Sequence, residues 1–326
     1  MLRRRWVLLL LVLFLLVGLT ACADEAEPEA PVEEESSAEE KEEEEAPVAE
    51  TDYPLEITDD ADRNVVIPEQ PQRVVSFAPS NTEILFSLGV GDTLVGVDDW
   101  SDWPSEDLED IPRIGGVENP NYESIIDLEP DLVLSIGGTD EFVERLEELD
   151  IPAIVLQPAD FEDIYDNLLL VGDVMNVPDS AEEVVDDMRS TVDHVEETVA
   201  TVPEDERPRV FFEVWRDPLM TAGPDSFIGF LVRTSGGKLI SDDVQGDWVE
   251  FSLETVVDRD PQVIITTFAD TIDEFESGSW AGWEDVTAVQ EECYHMVDVE
   301  SVTHPSPRIT EGLDAIAEIL HPDLFE

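Results

Sequence analysis

The chain is poor in the residues that would make several folds and functions easy. It has two cysteines, Cys22 and Cys293, in 326 residues, so a disulfide-stapled scaffold is excluded and the fold must rest on its own core. It has two lysines, Lys41 and Lys238, and 16 basic residues in all against 81 acidic ones. A surface that negative repels nucleic acid and anionic lipid, so nucleic-acid binding is excluded. Its four histidines, His194, His295, His304 and His321, lie far apart, so no cluster of metal-ligand spacing is visible and no protein-held metal is expected. A phosphate-binding glycine loop, a Gly-x-Ser-x-Gly elbow and paired metal-ligand motifs are all missing, which leaves an enzyme without a recognisable catalytic constellation and gives no catalytic residue. Apart from residues 6–19, no apolar run approaches the roughly 20 residues of a membrane-crossing helix.

That run is itself informative. Arg3, Arg4 and Arg5 precede it, and it ends at Leu19-Thr20-Ala21-Cys22. A basic start, a short apolar segment and small residues before a cut site make a secretory signal over residues 1–21. The small residues directly before Cys22 resemble a lipobox, which implies cleavage there, lipidation of Cys22 and a domain tethered outside the cytoplasmic membrane. Residues 22–52 are mostly Glu, Ala, Pro and Ser. They carry too little apolar surface to offset the entropy of ordering and read as an extended acidic tether. The net charge of -65 repels itself. In molar salt, where the Debye length falls to about 3 Å, that repulsion is screened. An acid-rich, lysine-poor chain fits a salt-adapted, halophilic host.

From Arg73 onward, short apolar runs alternate with helix-like stretches. Arg73-Val74-Val75-Ser76-Phe77 reads as a buried strand. Ser80-Asn81-Thr82-Glu83 fits a capping box ahead of Ile84-Leu85-Phe86. Further runs fall at residues 94–97, 132–136 and 153–156, then at 210–212 and 263–267. Strand and helix in alternation indicate an α/β fold with mostly parallel sheets. Between the two series, Val184, Met188, Val192, Val195 and Val199 recur every three or four residues with no Pro or Gly between them, which predicts one long amphipathic helix. The expected organisation is an N-terminal lobe at 53–178, a linking helix at 179–200 and a C-terminal lobe at 201–326. The halves also echo each other. Glu123-Ser124-Ile125-Ile126-Asp127 with Pro130 matches Glu254-Thr255-Val256-Val257-Asp258 with Pro261. In each copy a short helix ends near the proline and a buried strand follows. Two lobes joined by one helix enclose a cleft, where small ligands bind.

These motifs together resemble the periplasmic-binding family that serves cobalamin, ferric siderophore and haem importers. The resemblance runs from about Arg73 to Phe325. It rests on Ala78-Pro79-Ser80-Asn81-Thr82-Glu83-Ile84-Leu85, Asn119-Pro120-Asn121-Tyr122-Glu123, Glu129-Pro130-Asp131-Leu132-Val133, Thr221-Ala222-Gly223-Pro224-Asp225-Ser226-Phe227 and Ser306-Pro307-Arg308-Ile309. It implies two α/β lobes bridged by a helix, and a receptor that passes its ligand to an ABC permease dimer with its ATPase subunits. Within it, Asp98-Asp99-Trp100-Ser101-Asp102-Trp103-Pro104 looks like the cobalamin-binding branch. That favours a corrinoid, with siderophore or haem as the alternative; cobalt or iron would arrive in the ligand, not as a cofactor. Pro79, Ser80, Trp100, Trp103, Trp215, Trp248, His304 and Arg308 are the expected ligand-facing residues. Indole rings in polar loops suit the faces of a macrocycle, and Arg308 could equally form a structural ion pair. Trp280 and Trp283 are expected to staple a local helix. Glu123 and Glu254 correspond to the family's permease-docking glutamates. A free-metal receptor and a ligand sensor are the remaining rivals.

Overall fold

Each lobe is organised by an arginine at or just before the first strand of its parallel core, Val74–Ser76 or Arg209–Arg216. The computed structural model describes residues 51–137 and 140–325. In the first lobe, Arg73 donates from Nε and Nη2 to the carbonyl of Leu128 and from Nε to that of Glu129. In the second, Arg209 donates from Nε to the carbonyls of Arg259 and Asp260 and from Nη2 to that of Asp260. Both cap the carbonyl end of a short helix, Tyr122–Asp127 or Leu253–Arg259, where a cation also suits the helix dipole. Both helices run into a left-handed residue, Glu129 at φ 46° and Asp260 at φ 45°, before Pro130 or Pro261 leads into the next strand, Leu132–Ser135 or Val263–Thr266. The repeat seen in the sequence is thus a repeat of hydrogen bonds.

The first lobe holds a four-stranded sheet in the order Leu94–Val97, Val74–Ser76, Leu132–Ser135, Ala153–Val155, parallel throughout. The second sheet is mixed. Arg209–Arg216, Val263–Thr266 and Tyr294–Met296 run parallel, as does the short Lys238–Leu239. Leu219–Ala222 folds back antiparallel on Arg209–Arg216 through a tight turn at Asp217-Pro218, and Trp248–Glu250 adds antiparallel to it. The α/β expectation holds, with this departure from a mostly parallel second sheet. An additional antiparallel pair, Leu55–Thr58 with Asn64–Ile67, precedes the first lobe's sheet.

Between the sheets in sequence lies the helix Pro178–Val199, 22 residues long, or about 33 Å at 1.5 Å per residue. It buries Ala181, Val185, Met188, Val192, Val195 and Val199 in one stripe; Val184, expected in that stripe, is half-buried beside it. The stripe packs on Phe161–Val174 of the first lobe and Ile309–Leu320 of the second. Gly172 permits the first contact, because a Cβ there would lie 2.4 Å from the Ala181 Cβ. One apolar core therefore runs from lobe to lobe through this helix. No helix among the described residues is long and apolar enough to cross a membrane. The signal segment, Cys22 and nearly all of the acidic tether lie outside the described residues.

Candidate functional site

A cavity of about 400 Å³ opens on the second lobe, walled by Trp215, Met220, Trp248 and Phe268 together with Phe212, Val214, Ile228 and Val299. The strand pattern explains the wall. Trp248–Glu250 turns Val249 inward and Trp248 outward, as period-2 alternation requires. Along Arg209–Arg216 the register with the neighbouring strand shifts between Glu213 and Trp215. Such a bulge re-aims side chains, and here Glu213, Val214 and Trp215 all line the cavity. Trp215 is held by its Nε1–H, which donates to the Asp217 carbonyl at 3.0 Å, and by an edge contact with Phe268 at 6.5 Å. Even so, Trp215 is 54% exposed and Trp248 52%.

Trp100 is more exposed still, at 66%, and its loop is built rigidly. The buried Asp98 carboxylate accepts the Trp100 N–H at 2.7 Å, the Ser101 N–H at 3.1 Å and the Ser101 hydroxyl at 2.5 Å. Arg113 ties the same loop through the carbonyls of Asp98 and Ser101. The indole lies across Gly116, where a Cβ would come within 2.5 Å of the ring. Trp103, from the same loop, is instead partly buried, edge-on to Phe86 at 6.4 Å and under the Arg308 guanidinium at 5.0 Å.

Arg308 belongs to a seam of charged groups between the lobes, centred on Glu83. Glu83 does not close a capping box. The helix Pro79–Ser87 begins at Pro79 and has Ala78 at its N-cap with no side-chain cap, so Ser80 lies inside the helix, buried. Glu83 is 1% exposed and reaches across to the second lobe. Its Oε1 lies 2.8 Å from His304 Nδ1 and 3.4 Å from Arg308 Nη1, and its Oε2 accepts the Ser306 hydroxyl. Arg308 also donates to Glu300 at 2.6 Å and lies 3.6 Å from Asp298. Burial alone would lower the Arg308 pKa, but the surrounding carboxylates, Glu300 foremost, hold it above its usual value. Opposite Glu300 stands Asp102 of the Trp100 loop. Partial desolvation and the Glu300 charge push the Asp102 pKa up, while the hydrogen bond from Arg308 lowers that of Glu300.

The structure thus groups the expected residues in three places. Trp215 and Trp248 share the cavity. Trp103, His304 and Arg308 meet at the seam, and Pro79 and Ser80 start the helix that carries Glu83. Trp100 stands on its own pinned loop. Cavity and seam adjoin, since Val299 and Thr303 line the cavity while their chain neighbours Glu300 and His304 belong to the seam. Trp280 and Trp283 follow the helix Ala269–Ser277 in a turn, not in a helix as expected. They pack on each other at 4.6 Å, and both touch Phe275. Among the described residues no group of three or more His, Cys, Asp or Glu is placed to hold a metal ion.

Residues 74–293 match the model of the family described as periplasmic binding protein. The chain belongs to that family. An uncharacterised ABC transporter substrate-binding lipoprotein of Bacillus subtilis, YvrC, is 31% identical over 280 residues, covering 84% of this chain and 88% of the relative. A vitamin B12-binding protein of Vibrio parahaemolyticus is 27% identical over 256 residues, covering 77% and 89%. Among solved structures, a possible iron-binding periplasmic solute-binding protein of Staphylococcus epidermidis superposes with a TM-score of 0.66 at 28% identity, covering 78% of this chain and all of that one. The family is one of solute-binding proteins and not of enzymes.

In this periplasmic binding protein the repeated glutamates are both exposed. Each stands in the first turn of its helix. Asn121 caps the first, accepting the Ser124 N–H at 3.2 Å, and Ser252 caps the second, accepting the Thr255 N–H at 3.1 Å. Each carboxylate stabilises its helix start and remains available to a partner. Glu213, also unforeseen, lines the cavity yet is fully buried, with Oε2 accepting hydroxyl bonds from Thr266 and Thr271 at 2.6 Å each. Burial pushes its pKa up, and the two hydroxyls and Arg216 draw it back.

Proposed function

We propose that this periplasmic binding protein is the lipid-anchored, extracytoplasmic receptor of an ABC importer and that its ligand is a cobalamin-type corrinoid. The observation that carries the reading is the aromatic cavity. Trp215 and Trp248 leave about half of each ring exposed around an apolar hollow, and Trp100 offers a third ring on a pinned loop. Exposed aromatic patches of this kind mark ligand surfaces, and a broad macrocycle offers faces on which indoles stack. The vitamin B12-binding relative supports the ligand class, and the name of the Bacillus subtilis relative supports the importer and the anchor at Cys22. A ferric siderophore is the second reading, favoured by the similarity to the possible iron-binding protein. Glu123 and Glu254 would meet basic residues of the permease, one per lobe, through charge-assisted pairs.

The test is a fluorescence titration. Cyanocobalamin should quench tryptophan emission with sub-micromolar affinity, about -8 kcal/mol or better, and should outcompete ferric hydroxamate and haem. Tight binding of either of those with no response to cobalamin would replace the corrinoid by that ligand.

A further inference from the structure

Glu213 is the one ionisable side chain lining the aromatic cavity among the described residues. Packing would favour Leu or Met there, since a buried carboxylate costs free energy unless both oxygens are bonded. Only one is. Oε2 holds the two threonine hydroxyls, whereas Oε1 has no hydrogen-bond partner. The nearest cation, Arg216, has its Nε 3.5 Å from Oε1 and is already engaged, with Nη2 at 2.5 Å from Glu274 and its guanidinium over Trp280 at 5.0 Å. The charge is also tied to the wall. Thr266 Oγ1, which donates to Glu213, accepts the Phe268 N–H at 3.0 Å, and Phe268 packs on Trp215.

We infer that Glu213 is a charge filter: it restricts the cavity to ligands whose buried face carries neutral amides or positive charge, and rejects those that bring a carboxylate or phosphate against it. This rests on the cavity being the ligand site. The chain's net charge of -65 cannot do the same work at molar salt. Molar salt cuts the Debye length to about 3 Å, which erases the influence of exposed acids. Glu213 is fully buried and escapes that screening. At an effective dielectric of about 20, one like charge several ångströms away is enough for roughly tenfold to hundredfold discrimination.

The test uses matched pairs in molar salt. Cyanocobalamin is compared with its derivative in which one side-chain amide is hydrolysed to a carboxylate, and the neutral dimethyl ester of haem is compared with haem. The readout is the affinity ratio within each pair, because a loss of packing weakens both members alike. The wild-type chain should prefer the neutral member by about tenfold to a hundredfold, and Glu213→Gln, nearly isosteric, should reduce that preference severalfold or more. Should the variant fold poorly, the wild-type ratio still decides. A wild-type ratio near unity, or a ratio unchanged in Glu213→Gln, would overturn the inference and leave the corrinoid reading standing. A preference seen only in the haem pair, with no corrinoid bound, would overturn the corrinoid reading and support the filter. Failure of all four compounds to bind would sink both.

Discussion

Trp100, Trp215 and Trp248 each keep more than half of their surface in water, whereas Trp283, similar in chemistry, is 1% exposed. On the proposed reading the difference is that between ligand surface and core. Trp248→Ala and Trp215→Ala should weaken ligand binding by about 1–3 kcal/mol, the scale of a lost stacking ring, and leave unfolding midpoints nearly unchanged. Trp283→Ala should do the reverse, costing about 3–5 kcal/mol of stability. Titration alongside denaturant unfolding separates the two cases. The seam makes its own prediction. Asp102 is exposed, yet partial desolvation and the Glu300 charge raise its folded-state pKa above the usual 3.8. A raised acid holds its proton more tightly when folded, so its stabilising contribution is complete below its ordinary pKa and is lost as pH rises through the folded value. Asp102→Asn should therefore leave stability unchanged in strong acid and exceed the wild type at neutral pH. A gap of the opposite sign across that range would show that folding lowers the Asp102 pKa, with His304 and the backbone hydrogen bond outweighing desolvation and Glu300. Glu83 shows where reading from sequence stops. Its spacing from Ser80 satisfies a capping box, but its true partner Ser306 lies 223 positions away, and no local pattern reports a contact of that span. Glu213, by contrast, left a trace in Val-Phe-Phe-Glu-Val-Trp, as one charge inside a buried strand.

Among the elements, those legible in advance had long or uninterrupted periodicity. The helix Pro178–Val199 kept its apolar spacing over six turns, and the first lobe's strands are short apolar runs buried on both faces, as parallel strands are. The hairpin Leu55–Thr58 with Asn64–Ile67 leaves no clear sequence signal, because it mixes polar residues into four-residue strands. Trp248–Glu250 has three residues, too few for any period. The short helices Tyr122–Asp127 and Leu253–Arg259 were legible as a repeat, and they carry the docking prediction. Replacing both Glu123 and Glu254 by Arg should nearly abolish uptake, because like charges facing each other at an interface cost several kcal/mol. Ligand affinity should stay unchanged, since both residues are exposed on helices that do not line the cavity. Transport assayed in proteoliposomes, beside ligand titration of the same protein, checks it. Normal transport would leave these glutamates as helix-capping residues only.

The whole molecule is shaped by its charge of -65. Ion pairs such as Arg259 with Asp243 and Arg145 with Glu148 engage several of the cations, but 16 basic residues cannot offset 81 acidic ones. Salt weakens exposed pairs slightly and relieves the larger repulsion, so the melting temperature should climb from dilute buffer into the molar range. A flat or falling curve would remove the case for salt adaptation. Charge says nothing about cargo, however, and composition alone would fit any secreted acidic protein. The proposal for cargo rests instead on the aromatic cavity beside the interlobe seam. The decisive measurement is the visible absorption spectrum and metal content of the protein purified from its own host. The account predicts a corrinoid spectrum with cobalt in amounts matching the protein. A haem Soret band, or iron with a ferric-chelate band and no cobalt, would contradict it.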